Sequence, residues 1–224
     1  MRIVGSPETS NKLIVDRIQK ISNFSSEVMK LDEEYFDRIL KPHMNVLDVG
    51  MSLRDKFDMV SQKVTSCETL DINLFENYPD VQMDLCESVD LPPDFKFDVI
   101  FCFSLLEHCY NPFIASDNLF QMLKPRSRIV GSVPFLFPHH CPEDLSYQDY
   151  FRFTKHSFIS LFPKATRIDV SPHRGRVGAG LNIISQRYKD LGESKFPRLT
   201  KKLNKINQNH RPEQSSGFHF EVFN

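Results

Sequence analysis

The sequence predicts an α/β protein, a doubly wound and mostly parallel sheet of seven strands preceded by a helical cap. Three observations carry this expectation. Short apolar runs alternate along the chain with segments whose apolar residues recur every three or four positions, the pattern of βα units laid on a parallel sheet. The run from Phe97 to Phe103 is almost wholly apolar, as a central strand covered on both faces must be. Finally, three successive predicted strands each deliver an aspartate near the carboxyl end: Asp48, Asp71 and Asp84. Open α/β sheets bind ligands outside those ends.

Taken in order, residues 13 to 40 come first, with Ile14, Ile18, Ile21, Phe24, Val28, Leu31, Tyr35 and Ile39 at helical spacing. They form the expected cap. Val46 to Gly50 reads as a buried strand turning sharply at its glycine. Ser52 is the expected N-cap of the next helix, with Asp55 completing a capping-box-like arrangement and Leu53, Phe57 and Val60 on its apolar face. A strand, a tight turn and a helix start leave backbone N–H groups pointing at whatever lies over the strand end. The second strand spans Thr65 to Leu70 and ends in Asp71, where nucleoside-binding α/β folds place an acceptor for ribose hydroxyls. A third, near Val81 to Met83, ends in Asp84. After the fourth strand, Phe97–Phe103, Asn111-Pro112 opens a helix through Leu123 that stops at Lys124-Pro125. Ile129 to Val133 is the fifth strand, followed by a proline-rich loop from Pro134 to Pro142. A helix from Lys155 to Leu161, a strand from Arg167 to Val170 and a last strand over Phe218 to Phe223 complete the pattern.

Composition narrows the classes. A chain of 224 residues, 40% hydrophobic and 25% charged, buries a full core as a single domain. Its formal net charge of -1 gives no global reason to expect nucleic acid as a partner. The basic stretch from Arg187 to Arg211 has no regular aromatic platform beside it and reads as a solvated face. The cysteines number 5 and lack a C-x-x-C pair, and several sit in apolar runs, which suits reduced thiols in a cytoplasm. With no apolar leader region and no stretch near the ~18 apolar residues of a spanning helix, neither export nor membrane insertion is expected.

A set of motifs then gives a resemblance. Phe97-Asp98-Val99-Ile100, Leu106-Glu107-His108, Asn111-Pro112, Leu123-Lys124-Pro125 and Ser132-Val133-Pro134 follow one another as in class I S-adenosylmethionine-dependent methyltransferases, particularly the type 11 methyltransferase family. Pro138-His139-His140 and Asp149-Tyr150-Phe151-Arg152-Phe153-Thr154 resemble a subgroup associated with sugar and polysaccharide modification. The resemblance implies a Rossmann-like methyltransferase fold: a helical cap over 1–42, a cofactor-binding core over 43–170, and an acceptor-side insertion with the last strand over 171–224. It implies S-adenosylmethionine as cofactor, with Asp48 and Gly50 at its methionyl end, Asp71 at its ribose, and Asp84 with the Leu85 backbone at its adenine. Phe103, at the end of the fourth strand, joins this cofactor set. The family turn carries two further glycines where this chain has Ser52 and Arg54. Ser52 is small, and Arg54 is expected to pair with the cofactor's carboxylate. The chain lacks the G-x-G-x-x-G of dinucleotide binding at this turn.

Methyl transfer asks the protein mainly to exclude water, align a nucleophile and take its proton. His140, in the loop after the fifth strand, is the expected base, because imidazole titrates near neutrality. His139 is its rival, and Tyr150 is the second catalytic candidate. His139, Asp149 and Arg152 are the expected acceptor contacts, for a small or saccharide-like molecule. His108, Cys109, His139, His140 and Cys141 match no usual zinc spacing. Enzymes that methylate exocyclic amino groups commonly carry Asn/Asp-Pro-Pro-aromatic after the fourth strand. Phe103-Ser104-Leu105-Leu106 stands there instead, which disfavours base methylation. A hydroxyl, ahead of an amine, is the expected acceptor group. The alternative is a methyltransferase-like fold that has lost catalysis and serves as a binding or scaffold module, which the altered turn at Ser52 and Arg54 keeps open.

Overall fold

The computed structural model describes residues 33–135, 148–172 and 217–224. These residues build one sheet of seven strands: β1 (Asn45–Val49), β2 (Ser66–Asp71), β3 (Val81–Gln82), β4 (Phe97–Phe103), β5 (Leu123–Pro134), β6 (Arg167–Pro172) and β7 (Gly217–Phe223). Their spatial order is β3-β2-β1-β4-β5-β7-β6. The pairs from β3 to β5 are parallel, and β7 runs antiparallel to both β5 and β6. The order reverses between β1 and β4, so the switch point where α/β sheets bind ligands falls at their carboxyl ends.

Packing explains why β4 is central. Val99, Phe101 and Phe103 face one layer, against Phe36 and Ile39 of α1 (Glu33–Ile39) and against Leu53 and Val60 beyond β1. Ile100 and Cys102 face the other, against Ala115, Leu119 and Met122. Phe97 joins this second layer, beside an irregular stretch of β5 between Leu123 and Arg128. Gly131 of β5 is pressed against β4, where a Cβ would stand 2.2 Å from the carbonyl oxygen of Cys102. Any larger residue would push the two strands apart.

Local signals set several boundaries. α3 (Pro112–Gln121) starts as Asn111-Pro112 predicts, with the Asn111 side chain accepting from the Ile114 N–H at 3.4 Å. It ends before Leu123, because Leu123 already pairs with Phe97 and is buried. The strand β5 therefore begins ahead of Lys124-Pro125, and Arg126 takes a positive φ of 64° in the irregular stretch that follows. The turn after β1 holds a 3-10 turn over Arg54–Lys56 and then α2 (Phe57–Ser61). Its Ser52 does not cap the helix. The residue at the cap position is Leu53, with no side-chain cap bond. The helix α4 (Ser157–Leu161) packs Phe158 and Leu161 into the core. Of the predicted cap, Glu33–Ile39 is helical, residues 40–42 follow it outside the helix, and residues 1–32 lie outside the described residues. So does the basic stretch from Arg187 to Arg211. Among the described residues, no helix is long and apolar enough to cross a membrane.

Candidate active site

At the carboxyl end of β1 the chain makes a sharp turn. Gly50 has φ of +68°, a conformation that requires glycine, and the Leu105 side chain lies over it, where a Cβ would stand 2.6 Å from Leu105 Cδ1. Asp48 is buried, 2% exposed, and accepts from the Leu53 N–H at 3.0 Å. Burial pushes its carboxyl up to about 7, although bonds from the Leu53 and Ser52 N–H groups oppose the rise. Asp48 therefore ties the end of β1 to Leu53 in the turn. Ser52 is also buried: its hydroxyl donates to the Val49 carbonyl and accepts from the Phe103 N–H at 2.8 Å. That hydroxyl locks the end of β1 to the end of β4, which corrects its expected capping role. Arg54 opens the 3-10 turn with φ of 53°, and its charge acts on both Asp48 and Glu107.

Two further acids follow the predicted order. Asp71 ends β2, 5% exposed. It accepts from the Asn73 N–H at 2.8 Å, the Asn73 amide at 3.1 Å and the Tyr78 hydroxyl at 3.1 Å. Asp84 follows β3 and accepts from the Cys86 N–H at 2.8 Å. Asn118 of α3 fixes the loop beyond it by donating to the carbonyls of Leu85 and Glu87 at 2.9 and 2.8 Å. Phe103 is buried, its ring stacked on Phe101 at 5.9 Å and tilted against His219 at 6.0 Å. Its side chain thus belongs to the α1 layer, while its backbone N–H meets Ser52.

The turn after β4 gathers the acceptor-side candidates. The backbone carbonyl of Glu107 accepts from the Tyr150 and Phe151 N–H groups at 2.8 and 3.2 Å, and His108 Nδ1 lies 2.9 Å from the Gln148 carbonyl. These bonds strap residues 148–153 across the strand end. On the strap, Asp149 pairs with Arg152, whose Nη2 donates at 2.6 Å. The Asp149 side chain is fully covered, while Tyr150 is 50% exposed. His139 and His140 lie outside the described residues.

Glu107 is the residue that sequence reasoning passed over. It is 0% exposed, and neither of its carboxylate oxygens has a hydrogen-bond partner. Burial drives its carboxyl up to about 8. The Asp149 charge adds to the rise, while Arg152 and Arg54 oppose it. An orphaned buried carboxyl is costly and concentrates at functional sites. The available signal was an acid four residues past the end of an apolar central strand, which the sequence shows only as the middle of the Leu106-Glu107-His108 motif.

The arrangement fits S-adenosylmethionine. Asp71 stands at the end of β2, where it could take ribose hydroxyls; Asp84 and Leu85 form a fixed loop after β3 that could meet an adenine edge; and Gly50 turns the chain at the end of β1, where a methionyl end could lie. Fold and strand-end chemistry together define the class I methyltransferase architecture. The chain belongs to the methyltransferase-domain family, whose description its sequence matches over residues 21–167, and whose cofactor is S-adenosylmethionine. No curated protein sequence matches it. Among solved structures, the methyltransferase in a complex with the Haloferax volcanii Trm112 methyltransferase activator aligns with a TM-score of 0.58 at 12% identity, covering 98% of this chain and 99% of that one. An S-adenosylmethionine-dependent methyltransferase from Mesorhizobium loti aligns with a TM-score of 0.52 at 13% identity, over 85% of this chain and 97% of the other. Phosphoethanolamine N-methyltransferase 2 of Haemonchus contortus, in complex with phosphomonomethylethanolamine and S-adenosylhomocysteine, gives 0.51 at 13% identity over 85% of this chain. This chain spans 52% of that protein's length. At such identities the likeness is one of fold.

Proposed function

We propose that this chain transfers a methyl group from S-adenosylmethionine to a hydroxyl of a small or saccharide-like acceptor. The observation that carries the reading is the strap of residues 148–153, held on the turn after β4 by the Glu107 carbonyl and by His108. It supports an acceptor wall at the strand end where α/β sheets bind ligands. When bound, the cofactor supplies an electrophilic methyl on a sulfonium sulfur.

In this reading Asp71 takes the ribose hydroxyls, Asp84 and the Leu85 backbone meet the adenine, and Gly50 brings the turn close to the methionyl end. Asp48 holds that turn in shape, and Arg54 faces the cofactor's carboxylate. Tyr150 and His140 align the acceptor hydroxyl and take its proton, with His139, Asp149 and Arg152 around them. Ser104 and Leu105 stand after β4 in place of the tetrad of amino-group methylation, which favours oxygen. Cys67, Cys86, Cys102 and Cys109 are free thiols, in keeping with a cytoplasmic setting.

The test offers methyl-labelled cofactor with a panel of sugars, small alcohols and amines. Label incorporated into a hydroxyl compound, with matching release of S-adenosylhomocysteine, supports the reading; transfer to amines alone overturns the oxygen assignment. One observation favours a second reading, a binding module on the same fold: the Leu105 side chain fills the space over Gly50. Cofactor binding without transfer to any acceptor would select it.

A further inference from the structure

The hydroxyl of Tyr78 reaches the end of β2. It donates to Oδ2 of Asp71 at 3.1 Å. On the other oxygen, Oδ1, the same carboxylate takes the Asn73 N–H at 2.8 Å and the Asn73 amide at 3.1 Å. A carboxylate offers about four lone-pair sites. Three are engaged, so room remains for a single further donor, whereas a ribose presents two neighbouring hydroxyls. Tyr78 is half-buried, its ring 6.2 Å from that of Phe75. Burial and the nearby Asp71 charge hold its phenol protonated, and therefore a donor. Asp71 is itself buried, and a buried carboxylate needs such donors when no ligand provides them.

We propose that Tyr78 is a built-in competitor for the ribose: its hydroxyl takes, on Asp71, the hydrogen-bonding place of a ribose hydroxyl, and the cofactor enters by displacing it. The proposal rests on the reading of Asp71 as the ribose-binding acid. It makes apparent affinity the intrinsic affinity scaled by the fraction of molecules whose Tyr78 has left Asp71. Cofactor occupancy is thereby tuned by a contact that never touches the methyl group.

The experiment measures binding of S-adenosylhomocysteine, and of its 2′,3′-dideoxy analogue, to the full chain by calorimetry. Tyr78→Phe keeps the ring and frees the acceptor, so it binds S-adenosylhomocysteine about tenfold tighter than the parent chain, and Tyr78→Leu shifts in the same direction. With the dideoxy analogue the gain disappears, because no hydroxyl remains to use the freed oxygen. Unchanged or weaker binding in both variants overturns the proposal, as does a gain that survives in the dideoxy analogue. Asp71→Ala separates the two levels. If it leaves affinity intact, the ribose reading falls and the proposal with it; if it weakens binding while the Tyr78 variants fail to tighten it, the proposal alone falls.

Discussion

The Ser52 hydroxyl accepts the backbone N–H of Phe103 at 2.8 Å while donating to the carbonyl of Val49, so one buried side chain joins the carboxyl ends of β1 and β4. Glycine at this place would leave the Phe103 N–H without that partner. The departure from the family's glycine-rich turn is thus a structural exchange, in which backbone freedom gives way to a cross-strand tie.

Ser52→Ala is accordingly expected to destabilise the fold by about 1–3 kcal/mol, the usual cost of a buried donor left unsatisfied. Denaturant unfolding measures it. Stability equal to the parent chain would mean that water or a neighbouring group replaces the hydroxyl without loss.

Asp71→Ala is expected to weaken S-adenosylmethionine binding by about 1–3 kcal/mol, and Arg54→Ala to weaken it in the same direction. Calorimetric titration reads both. An Arg54 that serves only Asp48 and Glu107 would leave affinity where it was.

The two buried carboxyls set a pH dependence. Asp48 is raised from 3.8 to about 7 and Glu107 from 4.5 to about 8, each chiefly by burial. The folded chain therefore keeps protons that the unfolded chain gives up across this window. Stability from these groups is full below the ordinary carboxylate range and is lost as pH rises through about 7 and about 8. The charges facing Glu107 are Asp149 and Arg152 from the strap and Arg54 from the turn, with His108 Nε2 at 3.8 Å. Glu107→Gln is expected to match the parent chain below the ordinary carboxylate range, at about pH 3.5, and to melt at a higher temperature than it above pH 8. Parallel melting curves across the range would show that Glu107 finds a partner when ionised.

On the acceptor side, His140→Ala and Tyr150→Phe are expected to lower turnover while cofactor affinity stays within a factor of about three. Kinetics with labelled cofactor, alongside binding by each variant, separates the two quantities. A loss confined to cofactor affinity would move both residues to the cofactor side.

Much of the sheet was legible because its signals are local and redundant. The apolar run of β4, the Asn111-Pro112 helix start and the acids at Asp48, Asp71 and Asp84 each rest on neighbours in sequence. The parts that were not legible depend on distant partners. Ser52 looks like a helix cap until Phe103 is brought beside it, and the start of β5 at Leu123 is set by Phe97 across the sheet. Glu107 carries no mark in sequence of its burial, and Tyr78 none of its reach to Asp71. Side chains that act across strand ends are fixed by topology, which periodicity along one element does not encode.

The central claim is that the ends of β1, β2 and β4 hold S-adenosylmethionine. Calorimetric titration of the purified chain with S-adenosylmethionine tests it most directly. The account predicts saturable binding at one site per chain, weakened by Asp71→Ala. Absence of any binding heat up to millimolar cofactor, in the parent chain and in Tyr78→Phe alike, would contradict it.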